Sequence, residues 1–211
     1  MIKINSIRVS VFSTNCYLVQ NTESREGFLI DPGDYEEKIL ALLQEKEVKL
    51  SAIYLTHGHL DHMMAAERIR REYEVPVYCH EAEIAVLADP AMNLTSRFLR
   101  RPYVPEGVQG LKDGEEFTVA GVRVRVLHTP GHTPGGCCYY LPEEGVLFSG
   151  DTLFYRSIGN TEFPGGSMGA LVRSVREKLY VLPEETVVYA GHGEETDIGS
   201  EKQENPFVPA V

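Results

Sequence analysis

Four candidate metal ligands lie within six residues of this 211-residue chain. Residues 57–62 read HGHLDH, so three imidazoles and one carboxylate share one short segment. Alternate side chains of an extended segment point the same way, and His57 and His59 are therefore expected to bind one ion. Asp61 and His62 follow where the chain must turn, which would aim them at a second ion. A polar loop that happens to contain histidine is the alternative, but this density of ligands favours a two-metal site.

Three further candidate ligands each follow a predicted strand. His132 lies in a turn rich in glycine and proline after the apolar run 122–127. Asp151 comes shortly after the apolar run 146–148, and its two oxygens would be able to bridge two ions. His192 is flanked by two glycines, which allow the backbone to approach a metal closely. Because binding sites collect where strands end, we predict that these three residues complete the metal site.

Two kinds of periodic pattern predict the elements that position these residues. Alternating or continuously apolar runs predict strands at 4–12, 16–20, 28–30, 50–55, 75–78, 116–119, 122–127, 136–141, 146–148 and 186–189. Helical spacing predicts helices at 34–47, 65–73, 81–88 and 167–179. Asp34 and Glu37 suggest a capping box for the first helix, and Ser167 suggests an N-cap for the last. Strands followed by helices occur twice, which predicts two similar halves whose sheets pack together with helices outside.

The segment 89–112 contains three prolines, three arginines and few periodic positions. We expect it to run over the surface as an irregular loop, and long ordered loops are often functional. Arg97, Arg100 and Arg101 would be able to meet an anionic substrate there. A solvated loop face is nevertheless the preferred interpretation of these three arginines.

Composition places the chain among ordinary globular proteins. Its residues are 43% hydrophobic and 24% charged, and the length favours a single domain over residues 1–211. No apolar run is long enough to cross a membrane, and a net charge of -11 argues against nucleic acid as a partner. The N-terminus does not resemble a signal peptide, so we predict a cytoplasmic protein. The four cysteines lack C-x-x-C spacing and are expected to be reduced thiols, with Cys137 and Cys138 in the core.

The ordered motifs of the candidate ligands resemble those of the metallo-β-lactamase superfamily. They are His-x-His-x-Asp-His, Gly-His-Thr, Gly-Asp-Thr and Gly-His, and the similarity extends from about position 15 to about position 207. The resemblance implies an α/β fold, a four-layer αββα sandwich of two mixed sheets with outer helices and a site at one edge of the sheets. It also implies one metal held by His57, His59 and His132, a second held by Asp61, His62 and His192, and Asp151 as the bridge between them.

Other residues complete the predicted site. Asp31 matches the early aspartate of the superfamily, which implies a structural or ligand-orienting role. His128 is interpreted as a ligand-orienting or turn residue, and His80 as a residue at a helix start near the site. The implied cofactors are two divalent ions, with zinc expected first and iron or manganese fitting the same ligands. The oligomeric state is left open.

Within the superfamily, the chain most resembles glyoxalase II, the hydroxyacylglutathione hydrolases, and especially their short bacterial relatives. Full-length glyoxalase II carries a C-terminal helical domain that helps to bind glutathione, and only 19 residues follow His192 here. The short forms place a basic residue after the glycine that matches Gly159, where this chain has Asn160. The resemblance therefore implies a thioester substrate without specifying glutathione as its thiol. Tyr155, Arg156 and Asn160 are the candidate substrate contacts.

The implied activity is hydrolysis of a small-molecule thioester, or of a related ester or lactone. Two metal ions lower the pKa of a shared water from about 15.7 toward about 7, and Asp61 would orient that water. Persulfide dioxygenases are the alternative, since their single iron would be held by His57, His132 and Asp151. A secreted β-lactamase is disfavoured because position 151 is an aspartate and the chain shows no signal peptide. A non-catalytic binding module would lack ligands, and none is missing.

Overall fold

Two six-stranded sheets form the centre of the structure, a computed structural model that describes residues 1–209. In spatial order the first sheet contains β1 (Ile2–Val9), β2 (Thr14–Asn21), β3 (Glu26–Ile30), β4 (Lys49–Tyr54), β5 (Val77–His80) and β6 (Val108–Leu111). Strands β1 to β3 are antiparallel neighbours, whereas β3 to β6 run parallel to one another. Because parallel neighbours need long crossover connections, the chain between these strands has room for the helices of this half.

The second sheet has the same number of strands. The other named strands are β7 (Glu116–Val119), β8 (Val122–His128), β9 (Cys137–Leu141), β10 (Val146–Gly150), β11 (Leu153–Phe154), β12 (Ser157–Ile158), β13 (Val187–Ala190) and β14 (Thr196–Asp197). The second sheet has the order β14-β13-β10-β9-β8-β7, while β11 and β12 form a separate short hairpin. Only the β10–β13 pair of this sheet is parallel, so both large sheets are mixed.

Short helices connect the strands. Within residues 1–209 the α-helices are α1 (Glu36–Glu45), α2 (Leu60–Met63), α3 (Ala66–Tyr73), α4 (Ile84–Ala88), α5 (Thr95–Phe98), α6 (Met168–Ser174) and α7 (Ile198–Glu204). A 3-10 turn at Glu81–Glu83 precedes α4, and a π-helical turn at Val175–Leu179 extends α6. None of these helices combines the length and the apolar composition that a membrane-spanning helix requires.

Side chains alternate between two buried faces along the central strands, and this alternation creates the four layers. In β2, Tyr17 lies between the two sheets, whereas Leu18 belongs to the cluster beneath α1 and α3. In β9, Tyr139 lies between the sheets and Cys138 faces the helices of the other half. Both faces of each sheet are therefore buried. The fold is the predicted αββα sandwich of two mixed sheets with outer helices.

The four cysteines, Cys16, Cys79, Cys137 and Cys138, are buried free thiols, as the sequence predicted. Cys137 and Cys138 point to opposite faces of β9, so the adjacent pair belongs to two different core clusters. Burial raises the pKa of Cys138 to about 11, which keeps this thiol protonated at neutral pH. The cysteines are therefore packing residues of the sandwich.

Two predicted boundaries near the N-terminus are wrong. The first strand ends at Val9, because Ser10 and Ser13 take positive φ angles of 62° and 58° and turn the chain. The capping box expected from Asp34 is absent, since α1 begins after Tyr35, whose φ is 56° and which makes no side-chain cap. The Asp34 carboxylate instead accepts a hydrogen bond from the Tyr35 backbone N–H. Both residues before α1 thus form a tight turn rather than a cap.

The predicted surface loop 89–112 is more ordered than its sequence suggested. It contains α5 and the edge strand β6, and β6 pairs in parallel with β5. Residues 93–95 are buried, and the Asn93 side-chain amide donates to the backbone carbonyls of Leu87 and Tyr103. Sequence periodicity could not reveal β6, since an edge strand is held by backbone hydrogen bonds and needs no apolar alternation. Likewise β14 and α7 follow the strand that was expected to be the last.

Candidate metal centre

The loop after β4 supplies the first candidate ligands. The chain is extended at His59, with φ -69° and ψ 146°, and α2 begins at the next residue. A helical turn therefore carries Asp61 and His62 in a new direction. The imidazoles of His57 and His59 are buried, with ring centroids 4.8 Å apart. The segment has the extended pair and the following turn that its sequence predicted.

His132 joins these two histidines in a first cluster. It lies in the turn after β8, and its ring centroid is 4.7 Å from that of His57 and 4.6 Å from that of His59. Its Nδ1 donates a hydrogen bond to the backbone carbonyl of Asn160 at 2.6 Å, which leaves Nε2 facing the Nδ1 of His59 at 2.9 Å. One nitrogen from each of the three rings lies within 4.8 Å of the others. Three imidazoles at these separations are able to bind one ion.

A second cluster lies beside the first. The Nε2 of His192 is 3.3 Å from both the Nε2 of His62 and the Oδ2 of Asp61. The Nε2 of His62 is 3.5 Å from the same carboxylate oxygen. Thr14 donates a hydrogen bond to this oxygen at 2.6 Å and so fixes the Asp61 side chain. Two imidazoles and a carboxylate therefore surround a second point, as the resemblance implied.

Asp151 stands between the two clusters. Its Oδ2 lies 3.5 Å from the Nε2 of His132 in the first cluster and 3.6 Å from the Nε2 of His192 in the second. Its Oδ1 lies 3.4 Å from the Nε2 of His62. A Cβ atom at Gly191 would be only 2.3 Å from Asp151 Oδ1, so only glycine leaves room for this carboxylate. The carboxylate faces both clusters, which is the position that a bridging ligand needs.

The atoms of the two clusters fit a metal-binding role. The Nε2 of His57 and the Oδ1 of Asp151 are buried and have no hydrogen-bond partner. Buried polar atoms without partners are costly, and a bound cation would satisfy them. The outward nitrogens have acceptors, as is usual for metal-binding histidines. The His57, His62, His132 and His192 Nδ1 atoms face Thr56 Oγ1, Asp31 Oδ2, the Asn160 carbonyl and the Phe12 carbonyl, respectively.

Asp31 orients the cluster rather than joining it. Its Oδ1 accepts a hydrogen bond from the Thr56 backbone N–H at 2.7 Å. Its Oδ2 accepts from the Thr56 hydroxyl at 2.6 Å and from His62 Nδ1 at 2.9 Å. Asp31 is close enough to His57 and His62 to form a third possible ligand group. Because its oxygens already have donors, we assign it the orienting role that the resemblance implied.

The histidines of the two clusters differ in the direction in which their pKa values are shifted. Burial and the neighbouring imidazoles lower the pKa of His57 well below its usual value, and burial lowers the pKa of His59 and of His132. Burial also acts to lower the pKa of His62, but three carboxylates outweigh it and raise this pKa to about 10. The pKa of His192 is raised in the same way by Asp61 and Asp151. At neutral pH and without metal, the first cluster is uncharged, whereas His62 in the second cluster is protonated.

We therefore expect the second site alone to bind metal with a strong pH dependence. The first-site imidazoles have no proton to lose, whereas binding at the second site must displace the proton of His62. Because fewer His62 side chains carry this proton as the pH rises, second-site affinity should increase by up to about tenfold per pH unit. Competition titrations with a chelator between about pH 7 and pH 9 would measure both affinities.

The control for this pH dependence is a second-site variant. His62→Ala removes the proton that metal binding displaces, so the slope of second-site affinity against pH should decrease while first-site affinity stays flat. If metal affinity depended equally on pH at both sites of the unmodified protein, the assignment of a protonated second site would be wrong.

Glu83 is a site residue that the sequence did not reveal. It is fully buried in the 3-10 turn before α4. Its Oε1 accepts from the Gly58 N–H at 2.7 Å, and its Oε2 accepts from the Thr133 hydroxyl at 2.9 Å and from the Gly135 N–H at 2.8 Å. Gly58 separates His57 from His59, and Thr133 follows His132. One carboxylate thus joins the two loops that carry the first cluster.

A cavity of about 240 Å³ opens onto both clusters. Its wall combines candidate ligands with apolar side chains, namely Phe12, His59, Leu60, Asp61, Leu94, Phe98, His132, Asp151, Phe163 and His192. The apolar residues come from the β1–β2 turn, from α2, from the segment 89–112 and from the loop before α6. The sequence predicted a strand that includes Phe12 and a solvated loop over residues 89–112. It therefore did not predict this wall.

The structure places the candidate substrate contacts away from this wall. Tyr155 and Arg156 are exposed, and Arg156 pairs with Glu204 on α7. The side chain of Asn160 is also exposed and accepts a hydrogen bond from a backbone N–H, while its backbone carbonyl orients His132. These three residues are not among those that line the cavity, and substrate contact by their side chains stays a prediction. The sequence predicted that the chain after β10 lies near the site. It could not predict where the side chains of Tyr155, Arg156 and Asn160 point.

His128 contacts the turn that carries His132. Its ring stacks on that of His80 with centroids 3.9 Å apart, and its Nε2 donates to the carbonyl of Pro134. Of the two roles predicted for His128, this contact fits a turn residue, and no hydrogen bond to a candidate ligand is found within the described residues. His80 lies at a helix start as predicted, where its Nδ1 accepts from the Ala82 N–H and caps the 3-10 turn.

The fold and the ligand pattern agree with a family relationship. The sequence profile of the metallo-beta-lactamase superfamily matches residues 9–192. The chain belongs to this superfamily of metallo-hydrolases. Among its relatives, the hydroxyacylglutathione hydrolase GloC of Haemophilus influenzae is 35% identical over 208 residues, and the alignment covers 97% of each chain.

Two solved structures are similar over almost the whole length. The BLEG-1 B3 metallo-beta-lactamase has a TM-score of 0.92 and 38% identity, with 98% of this chain and 99% of that chain covered. TTHA1623, solved in a di-iron-bound form, has a TM-score of 0.85 and 37% identity, with 96% and 99% covered.

Proposed function

We propose that this protein hydrolyses a small-molecule thioester, or a related ester or lactone, with two divalent metal ions. The observation that carries the proposal is the placement of Asp151 between two complete ligand clusters. The proposed ligands are His57, His59, Asp61, His62, His132, Asp151 and His192. The similarity to a hydroxyacylglutathione hydrolase supports the thioester as the first substrate class to test.

The residues around the clusters favour hydrolytic chemistry. Bound divalent ions would supply an activated water and polarise the carbonyl under attack. Burial raises the pKa of Asp61, but His62, His192 and the Thr14 hydroxyl together hold it below its usual range. Asp61 therefore remains an anion that would accept a hydrogen bond from a water and orient it. Zinc is the first metal to test, and iron or manganese would fit the same nitrogen and oxygen ligands.

The cavity favours a good leaving group. Apart from the candidate ligands, its wall consists of Phe12, Leu60, Leu94, Phe98 and Phe163. Among the described residues, none of these apolar lining side chains can donate a proton to a departing atom. A thiolate leaves without much protonation, whereas an amine leaving group requires a general acid. We therefore place thioesters before β-lactams, although the similarity to BLEG-1 makes a β-lactam a necessary comparison substrate.

A persulfide dioxygenase is the second candidate. TTHA1623 was solved in a di-iron-bound form, and its similarity indicates that a related ligand set accepts iron. One iron would here be held by His57, His132 and Asp151. This candidate requires one iron per chain and consumption of oxygen, whereas the hydrolase requires two ions and no oxygen.

Metal analysis paired with rate measurements would decide between these functions. The protein, purified without chelator, is expected to contain two divalent ions per chain. It should hydrolyse S-lactoylglutathione with kcat on the order of 1–1000 per second, and a simple lactone or β-lactam more slowly. One iron per chain with oxygen uptake on glutathione persulfide would overturn the hydrolase proposal in favour of the second candidate.

A further inference from the structure

Arg97 stands at the mouth of the metal cavity. Its guanidinium carbon lies 5.5 Å from the ring centroid of Phe98 and 6.0 Å from that of Phe163. Both rings line the cavity, and the Phe163 ring is 5.4 Å from the imidazole of His59. One aromatic ring therefore separates this cation from the first metal cluster.

The guanidinium is held by aromatic faces and not by an acid. Arg71 and Arg156 each pair with a carboxylate. Within residues 1–209, by contrast, no carboxylate lies within 4.0 Å of the Arg97 side chain. Two rings that line the cavity flank this exposed side chain, and its hydrogen-bond donors have no acceptor among the described residues.

We propose that Arg97 binds a carboxylate group of the substrate and makes the enzyme selective for anionic thioesters. This inference rests on the proposed hydrolase function and names the substrate class of the same cavity. A guanidinium presents parallel N–H donors that match the two oxygens of a carboxylate. The apolar wall contacts the uncharged part of the substrate, and the clusters bind the thioester carbonyl at the other end.

The position of Arg97 supports recognition across the cavity rather than chemistry. The cation is separated from His59 by the Phe163 ring, so it does not reach the reacting carbonyl. Substrates that carry the carboxylate several bonds away from the thioester would span the distance from the clusters to the rim. A thiol with its own carboxylate, such as a small acidic peptide thiol, has this shape.

A substrate pair that differs in charge tests the inference. S-lactoylglutathione carries carboxylates, whereas the lactoyl thioester of N-acetylcysteamine carries none. Arg97→Ala should lower the ratio of kcat/KM between the anionic and the neutral thioester about tenfold, which is the loss expected for one charge-assisted contact. Arg97→Glu should lower the ratio further, and Arg97→Lys should restore part of it. Arg100→Ala is the matched control, because Arg100 is an exposed arginine of the same segment, and its ratio should stay as in the wild type.

A binding measurement separates the two proposals. S-hexylglutathione carries the carboxylates but no bond to hydrolyse, so calorimetry reports its affinity without catalysis. Arg97→Ala should weaken this affinity about tenfold, and Arg100→Ala should leave it unchanged. If the wild type hydrolyses neither thioester, the proposed function fails, while the calorimetric difference still tests Arg97. If Arg97→Ala changes neither the ratio nor the affinity, or weakens both thioesters equally, the selectivity inference is overturned.

Discussion

Asp151→Ala is expected to release both metal ions and to lower kcat/KM for the thioester by about a thousandfold or more. Its carboxylate lies within 3.6 Å of ligand nitrogens from both clusters, so its loss opens both sites. Without it, three imidazoles remain at the first site, and two imidazoles with Asp61 remain at the second. Losing the several kcal/mol that metals contribute at the transition state corresponds to this change in rate.

Metal content and rate have to be measured together for this variant. Elemental analysis should find fewer than two ions per chain, and circular dichroism should show that the sheets remain. Asp113→Asn is a suitable control, because Asp113 is a carboxylate that pairs with Lys178 away from the cavity. A variant at Asp151 that kept two ions and full activity would show that the ligand assignment is wrong.

Glu83→Ala is expected to weaken metal binding at the first cluster and to destabilise the whole fold. The substitution leaves the Gly58 N–H, the Thr133 hydroxyl and the Gly135 N–H buried without their acceptor. Each unsatisfied donor costs about 1–3 kcal/mol, so the free energy of unfolding should fall by several kcal/mol. The loops of His57 and His132 would also lose their common anchor. Loss of a residue that orients ligands typically lowers metal affinity about 10- to 100-fold.

Two readouts separate the orienting role of Glu83 from a contribution to stability alone. Chemical denaturation gives the loss of stability, and chelator competition on the folded variant gives the affinity of the first site. Glu83→Gln should be intermediate, because its amide keeps one acceptor oxygen but places N–H donors against the other donors. Glu81→Ala is the matched control, since Glu81 is an exposed glutamate of the same turn. Reduced stability with unchanged metal affinity would refute the orienting role.

Glu83 also illustrates why part of the site could not be predicted. Burial raises the pKa of this carboxyl group to about 7, although its three hydrogen bonds act to lower it. In the sequence it is one of two glutamates in a predicted helix, and no spacing distinguishes it from Glu81. Its partners lie 25 to 52 positions away along the chain. Only the packing of α4 against two loops creates the contact.

The candidate ligands were predictable for the opposite reason. Metal chemistry restricts the residue types, and in residues 57–62 the ligands lie so close in sequence that backbone geometry alone decides their directions. Asp151, His132 and His192 follow apolar strands, and ends of neighbouring strands meet at an edge of a sheet. The four layers were predictable as well, because alternation along β2 and β9 encodes two buried faces for each sheet.

Residue type, order and local period therefore determined the superfamily, the sandwich and the set of seven candidate ligands. The tertiary structure alone decided what surrounds them: it brings Arg97, Phe98 and Phe163 to the cavity mouth and joins two loops through Glu83. It also leaves Tyr155, Arg156 and His128 outside the lining of this cavity. The physical reason is that ligand geometry and strand alternation are short-range properties of the chain. Cavity walls and buried hydrogen bonds depend on which distant segments pack together, and no local pattern records that choice.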